Sequence, residues 1–255
     1  MTAPFTVCPY RFSADPPAMV RFLDLLGLRR EISTAGDGFA ILRGRRGLVA
    51  VHAAGTPVTA VRSAASTSLT FGVDDARAAT AGLAADGYEV AAWDEAYAVQ
   101  GAVRDPFGLG VWLNEPVRDL HGYRAHEPQP SPVDVVAVCW TPDAARSEPF
   151  FRRLGFTGPP PVHDGWWPLH ADGDGGSVGL HAHEGDPPAG PPTADDPVSP
   201  AALVGLSCWT VEPLDDLGAR LEAAGHPVRD DRGATAPHLT VTDPDGVEIE
   251  LHQGS

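Results

Sequence analysis

Laid against itself, the 255-residue chain repeats, and this internal duplication constrains the fold more tightly than any other feature of it. Asp15, Phe22, Gly27 and Leu28 return as Asp143, Phe150, Gly155 and Phe156, each 128 residues later, as from 15 to 143. Leu83, Gly87, Val90, Asp105, Pro106, Gly108 and Leu113 return as Leu221, Gly225, Val228, Asp243, Pro244, Gly246 and Leu251, each 138 residues later, as from 105 to 243. The second copy has therefore gained about ten residues between these blocks, and the Pro/Gly-rich stretch Gly185 to Pro192 is the place able to hold most of them. Glu127 to Pro132, with three prolines, predicts a stiff extended connection. It divides a first domain at 1–126 from a second at 133–255.

Each half divides again. Phe5 to Phe12 predicts a strand, and Pro16 to Leu26 a helix with proline in its first turn and Gly27 at its end. Phe39 to Arg43 and Leu48 to Ala53 predict strands around a Gly44 to Gly47 turn. The order then restarts: a strand at Ser68 to Val73, a helix at Asp75 to Ala85 closed near Gly87, and strands at Val99 to Arg104 and Leu109 to Leu113 flanking an Asp-Pro-Phe-Gly turn. The result is a βαβββ module, twice per half. Four modules fill the chain.

Composition narrows the chemistry. The 34 acidic side chains against 18 arginines give a charge of −16, which repels a polyanion and argues against nucleic-acid binding. There is no lysine, so Schiff-base and P-loop chemistry are excluded. No apolar run of membrane-spanning length occurs, and Met1 to Pro4 lacks the regions of a secretory signal, so a cytoplasmic location is expected with no membrane partner. Cys8, Cys139 and Cys208 are widely spaced in strand-like segments and read as buried reduced thiols. The glycine clusters at 37–38 and 173–176 lack a strand-loop-helix setting and read as turns. Ser177 has no nucleophile-elbow context.

Asp143 to Phe156, the helix end Leu221 to Gly225 and the run Asp243 to Leu251, in this order and duplicated, resemble the vicinal oxygen chelate superfamily. That superfamily includes glyoxalase I, fosfomycin-resistance enzymes, extradiol dioxygenases and bleomycin-binding resistance proteins. The resemblance implies an α+β fold in which four βαβββ modules form two curved-sheet, glyoxalase-like domains. Paired modules would enclose a cavity where up to four side chains hold a divalent metal, pairing either within halves or across them. The family's ligand positions fall on Cys8, His52, Ser68 and Trp112 in the first half, and on Val136, His181, Leu206 and Glu250 in the second. Neither pairing gathers three good ligands, so a metal site of the family type is not expected.

Strand parity that turns position 8 inward also turns Tyr10 and Phe12 inward, and parity with Val136 does the same for Trp140. With Trp112, Trp166, His52, His181, Cys208 and Glu250 these residues form the expected lining of the hollows, suited to an aromatic or cationic small molecule. The expected function is binding of such a molecule without a cofactor, in the manner of a resistance protein, by a monomer or homodimer. The alternative is a lyase, isomerase or dioxygenase with a divalent metal on His181 and Glu250, assisted by His183 or His252, since 181 and 183, and 250 and 252, share strand faces. His163, His170 and His238 read as histidines without a ligand role. Three donors converging in one bowl would overturn the metal-free expectation.

Overall fold

The structure, a computed structural model, describes residues 5–55, 63–95, 97–117, 122–161, 166–182, 203–234 and 236–254. The predicted insertion at 185–192, His163 and His183 lie outside the described residues. No described helix is long and apolar enough to cross a membrane.

The fold is α+β, with the module pattern running through it. The first module holds β1 (Thr6–Val7), β2 (Tyr10–Ser13), α1 (Pro16–Leu26), β3 (Arg29–Thr34), β4 (Phe39–Arg43) and β5 (Leu48–Ala53). The second holds β6 (Thr67–Ser68), β7 (Thr70–Gly72), α2 (Ala76–Ala85), β8 (Val90–Asp94), β9 (Val99–Arg104) and β10 (Gly110–Asn114), with β11 (Tyr123–Ala125) following. The third holds β12 (Val133–Thr141), α3 (Ala144–Arg153), β13 (Trp167–His170) and β14 (Ser177–Ala182). The fourth holds β15 (Leu203–Thr210), α4 (Leu214–Ala223), β16 (Val228–Asp230), β17 (His238–Thr242) and β18 (Glu248–Gln253). Among the described residues of the third module, the strand after the helix is represented by a single antiparallel bridge, Thr157 to His170.

Local chemistry sets the helix ends. The Asp15 carboxylate accepts from the Ala18 backbone N–H at 3.0 Å, two prolines occupy the first turn of α1, and Gly27 closes it at φ +106°. Asp75 and Asp143 cap α2 and α3 in the same way. The predicted strand at 5–12 is instead two short ones on either side of Cys8 and Pro9, because proline donates no ladder hydrogen bond. The strands after α1 and α2, β3 and β8, read Arg-Arg-Glu-Ile-Ser-Thr and Val-Ala-Ala-Trp-Asp, without a clean alternation to announce them.

The strands form three sheets, in the orders β1-β7-β10-β9-β8, β11-β3-β4-β5-β2-β6 and β13-β14-β12-β15-β18-β17-β16. Contacts divide the chain into two compact units, each with modules from both halves. One comprises Met1–Pro9, Ser68–His121 and Ala137–Val204; the other comprises Tyr10–Thr67, Gly122–Val136 and Gly205–Ser255. These compact units do not coincide with the sequence division at 127–132.

The first unit has an aromatic core of Phe71, Phe150, Phe151 and Phe156, with Phe71 and Phe156 5.1 Å apart and Phe150 and Phe151 also 5.1 Å apart. In the second, α1 lies against β4 and β5, and its Met19, Val20, Phe22 and Leu23 are fully buried, as are Ala40, Leu42, Val49 and Val51 of the strands. An ion pair is sealed in this unit: the Arg11 guanidinium donates to Asp243 Oδ2 from Nε at 3.0 Å and Nη2 at 2.6 Å. The two side chains are 2% and 0% exposed. Such a pair fixes which strand meets which turn more than it adds stability over an apolar substitute.

Candidate functional site

Strand alternation in the second unit divides β2, β4 and β5 into two faces. The register pairs Phe12 with His52, Tyr10 with Ala50 and Phe39 with His52, which puts Tyr10, Phe12, Phe39 and His52 on one face. Arg11, Ala40, Leu42, Val49 and Val51 alternate onto the other, sealed under α1. Phe39 is the hub of the open face. Its ring lies 6.2 Å from Tyr10, 5.6 Å from His52 and 5.8 Å from Tyr123, at 58°, 71° and 87° between planes. Phe12 completes the group, 6.1 Å from His52. Tyr10, Phe39, His52 and Tyr123 are half-buried while Phe12 is buried, so four ring edges remain within reach of a ligand. Steeply inclined rings of this kind offer π faces and edges to a planar or cationic group. The expected Tyr10, Phe12 and His52 are thus brought together.

The family's metal-ligand positions do not assemble a metal site. Cys8, Ser68 and Trp112 belong to the first unit, with His181; His52, Val136, Leu206 and Glu250 belong to the second. Val136 and Leu206 are buried apolar side chains with no donor atom. The residues present at those positions do not fit the family's metal.

A different set of side chains does bring three donors together. His238, Glu250 and His252 each offer one ligand atom, and these lie within 4.8 Å of one another in the second unit. Hairpin register brings them together, since β17 and β18 pair His238 with His252 and Thr240 with Glu250. His252 Nε2 stands 3.1 Å from Glu250 Oε2. Its ring lies 5.4 Å from Trp209 and 5.2 Å from His238, at 31° and 37° between planes. Trp209 follows from the parallel register of β15 with β18, which pairs it with His252. His238, read from sequence as having no ligand role, is the member that reasoning missed. The turn closed between Asp243 and Val247 held the signal, because residues equidistant from its centre at Asp245 face one another.

Other expected residues stand apart from both clusters. Cys208 belongs to the core rather than a binding surface: it is 1% exposed and paired with buried Leu251, and burial, helped by the Asp134 charge, pushes its thiol pKa up to about 12. In the first unit Trp112 meets Trp93 edge-on at 5.6 Å, and Trp166 lies 5.9 Å from His181. Trp166 occupies the space above Gly179, where any Cβ would collide with its ring. Trp140 is exposed at 37%. His181 joins no group of three metal-ligating side chains among the described residues. Sequence reasoning also did not foresee a surface hollow of about 620 Å³ in the second unit, lined by Arg21, Asp24, Arg29, Pro132, Glu212 and Arg220. There Arg220 clamps Glu212 and holds its carboxyl below the usual carboxylate range.

Comparison with known proteins gives the frame for these sites. Residues 134–251 match the profile of the Glyoxalase/Bleomycin resistance protein/Dioxygenase superfamily. A search of curated protein sequences found no match. Among solved structures, a Mn(II)-bound glyoxalase from Novosphingobium aromaticivorans superposes with a TM-score of 0.60 at 14% identity, over 98% of this chain and 81% of that one. A catechol 2,3-dioxygenase gives 0.60 at 15% identity, over 100% and 88%. A halotolerant catechol dioxygenase gives 0.55 at 14% identity, over 100% and 87%. Residues 134–251 thus match the Glyoxalase/Bleomycin resistance protein/Dioxygenase superfamily, consistent with the vicinal oxygen chelate resemblance, and the whole chain carries the fold of these glyoxalase and dioxygenase structures.

Proposed function

We propose that this protein binds a small aromatic or cationic molecule against the ring cluster of Tyr10, Phe39, His52 and Tyr123, with no metal in that cup. The carrying observation is the steep, half-buried arrangement of three rings around Phe39. Affinity would come from ring stacking and the apolar area covered, and the charge of −16 draws a cation toward the surface. Binding of this kind makes and breaks no bond, which accords with apolar Val136 and Leu206 at two of the family's ligand positions. It would serve resistance by sequestration, in keeping with the bleomycin resistance proteins that the matched superfamily includes by name.

The test is equilibrium dialysis of tag-free protein against a panel of planar aromatic and cationic compounds, with acridine orange as the first probe, followed by mass analysis of the recovered compound. Saturable binding, unchanged compound and a loss of about tenfold or more in Phe39→Ala are expected. A chemically altered compound, or full affinity in Phe39→Ala, would refute the reading.

A further inference from the structure

We propose that His238, Glu250 and His252 form a site for a divalent transition-metal ion in the second unit, sharing only Glu250 with the positions the family uses and independent of the aromatic cluster. Four observations converge on it. The three candidate ligand atoms already lie within 4.8 Å of one another, and the Glu250 and His252 atoms are 3.1 Å apart. Two ligands on one tetrahedral zinc stand about 3.4 Å apart, given bonds of about 2.0–2.1 Å. Closing the remaining gap takes a rotation of Glu250, whose side chain is 55% exposed.

The second observation concerns the proton on His238. Its Nδ1 lies 2.7 Å from the carbonyl oxygen of Ala236 and can bond it only by donating N–H, which selects the neutral tautomer whose lone pair is on Nε2. Metal-binding histidines are oriented in this way, by a carbonyl or carboxylate behind the ring. Third, His252 is held between Trp209 and His238, which limits its rotation before any ion arrives. Fourth, both imidazoles are sheltered, at 15% and 14% side-chain exposure, while the carboxylate opens to solvent, giving an ion a path in and leaving further coordination positions for water.

The donor set selects the ion. Two neutral imidazoles and one carboxylate suit zinc, cobalt, nickel, iron or manganese, whereas magnesium and calcium favour all-oxygen shells. Asp231 Oδ2, 3.7 Å from His238 Nε2, adds negative charge beside the site while being held by the Thr240 hydroxyl at 2.6 Å and by Arg229.

Tag-free full-length protein stripped with a chelator would be titrated with Zn²⁺ by calorimetry and with Co²⁺ by visible absorption. One ion per chain is expected, with cobalt bands of a nitrogen-containing, low-symmetry shell. His238→Ala and His252→Gln should each lower zinc affinity at least about 100-fold, and Glu250→Gln at least about tenfold, judged against the 10–100-fold that outer partners alone contribute. His170→Ala, outside the cluster, should bind as the parent does. Circular dichroism and the denaturation midpoint of each variant, taken without metal, separate ligand loss from unfolding. Binding only at millimolar zinc, or parental affinity in either histidine variant, would overturn the proposal. Because acridine orange binding is read separately, failure of this site leaves the aromatic reading standing, and the reverse also holds.

Discussion

Arg11 and Cys139 occupy the same place in the two copies of the repeat, four residues before the capping Asp15 and Asp143, and each lies beside an aspartate from the Asp-Pro turn of another module. In the second unit that aspartate is Asp243, which takes two hydrogen bonds from Arg11. In the first unit it is Asp105, which takes backbone N–H bonds from Phe107 and Leu109 as Asp243 does from Asp245 and Val247, but among the described residues meets the Ser147 hydroxyl in place of a guanidinium. Ser147 in turn corresponds to Met19, and it also bonds Thr141 at 2.8 Å. Arg146 of the first unit lies 4.7 Å above Phe107, the counterpart of Asp245. One ancestral position has thus taken two solutions. Both carboxylates take dipoles from their own turn; the second unit adds a buried cation and the first only a hydroxyl, so burial pushes the Asp105 carboxyl above the usual carboxylate range.

The sharpest way to break this comparison is Arg11→Leu. It should cost about 3–5 kcal/mol by leaving Asp243 buried without its cation, read as a lowered midpoint in urea unfolding. Adding Asp243→Asn to that variant should restore most of the loss, because no buried charge remains. If the double variant is as unstable as the single one, the pair acts through packing of the arginine stem.

Asp105→Asn should act in the opposite sense. A carboxyl with a raised folded-state pKa contributes stability below its unfolded pKa and loses that contribution as pH rises through the folded value. The parent should therefore gain stability from this group as pH falls from neutral into the carboxylate range. The Asn variant should lack that gain and be the more stable of the two at neutral pH. Denaturation midpoints at a series of pH values check it.

The smallest effect concerns thiols. Burial first, and the Asp105 charge second, push the Cys139 thiol well above its ordinary value, and Cys208 is similarly suppressed. At pH 8 both should react with a disulfide reagent at least about 100-fold more slowly in the folded protein than in denaturant. Rapid labelling of Cys139 in native protein would show that the first unit opens around Asp105.

Much of this was legible in the residues. Asp15, Gly27 and the turn residues act over a few positions, so their consequences for α1 and the hairpins follow from local sterics and capping. The duplication and its module pattern follow from regular spacing. Tyr10, Phe12 and His52 could be placed on one face because alternation is local. Phe39 could have been joined to them through the Gly44 to Gly47 turn, which sets the register of β4 against β5, but Tyr123 could not, since β11 meets β3 from far along the chain. Cys208 was misplaced for a related reason: parity within β15 does not say which face meets the core until β18 is laid beside it.

The sequence by itself determined the four modules, the helix caps, the aromatic character of one strand face and the loss of ligands at Val136 and Leu206, because each depends on residue identity and short-range spacing. Only the tertiary structure decided that compact units draw modules from both halves, that Arg11 meets Asp243, and that His238 joins Glu250 and His252. Those outcomes depend on how strands pair and which buried charges can be satisfied, and such choices are made by the whole chain as it excludes water.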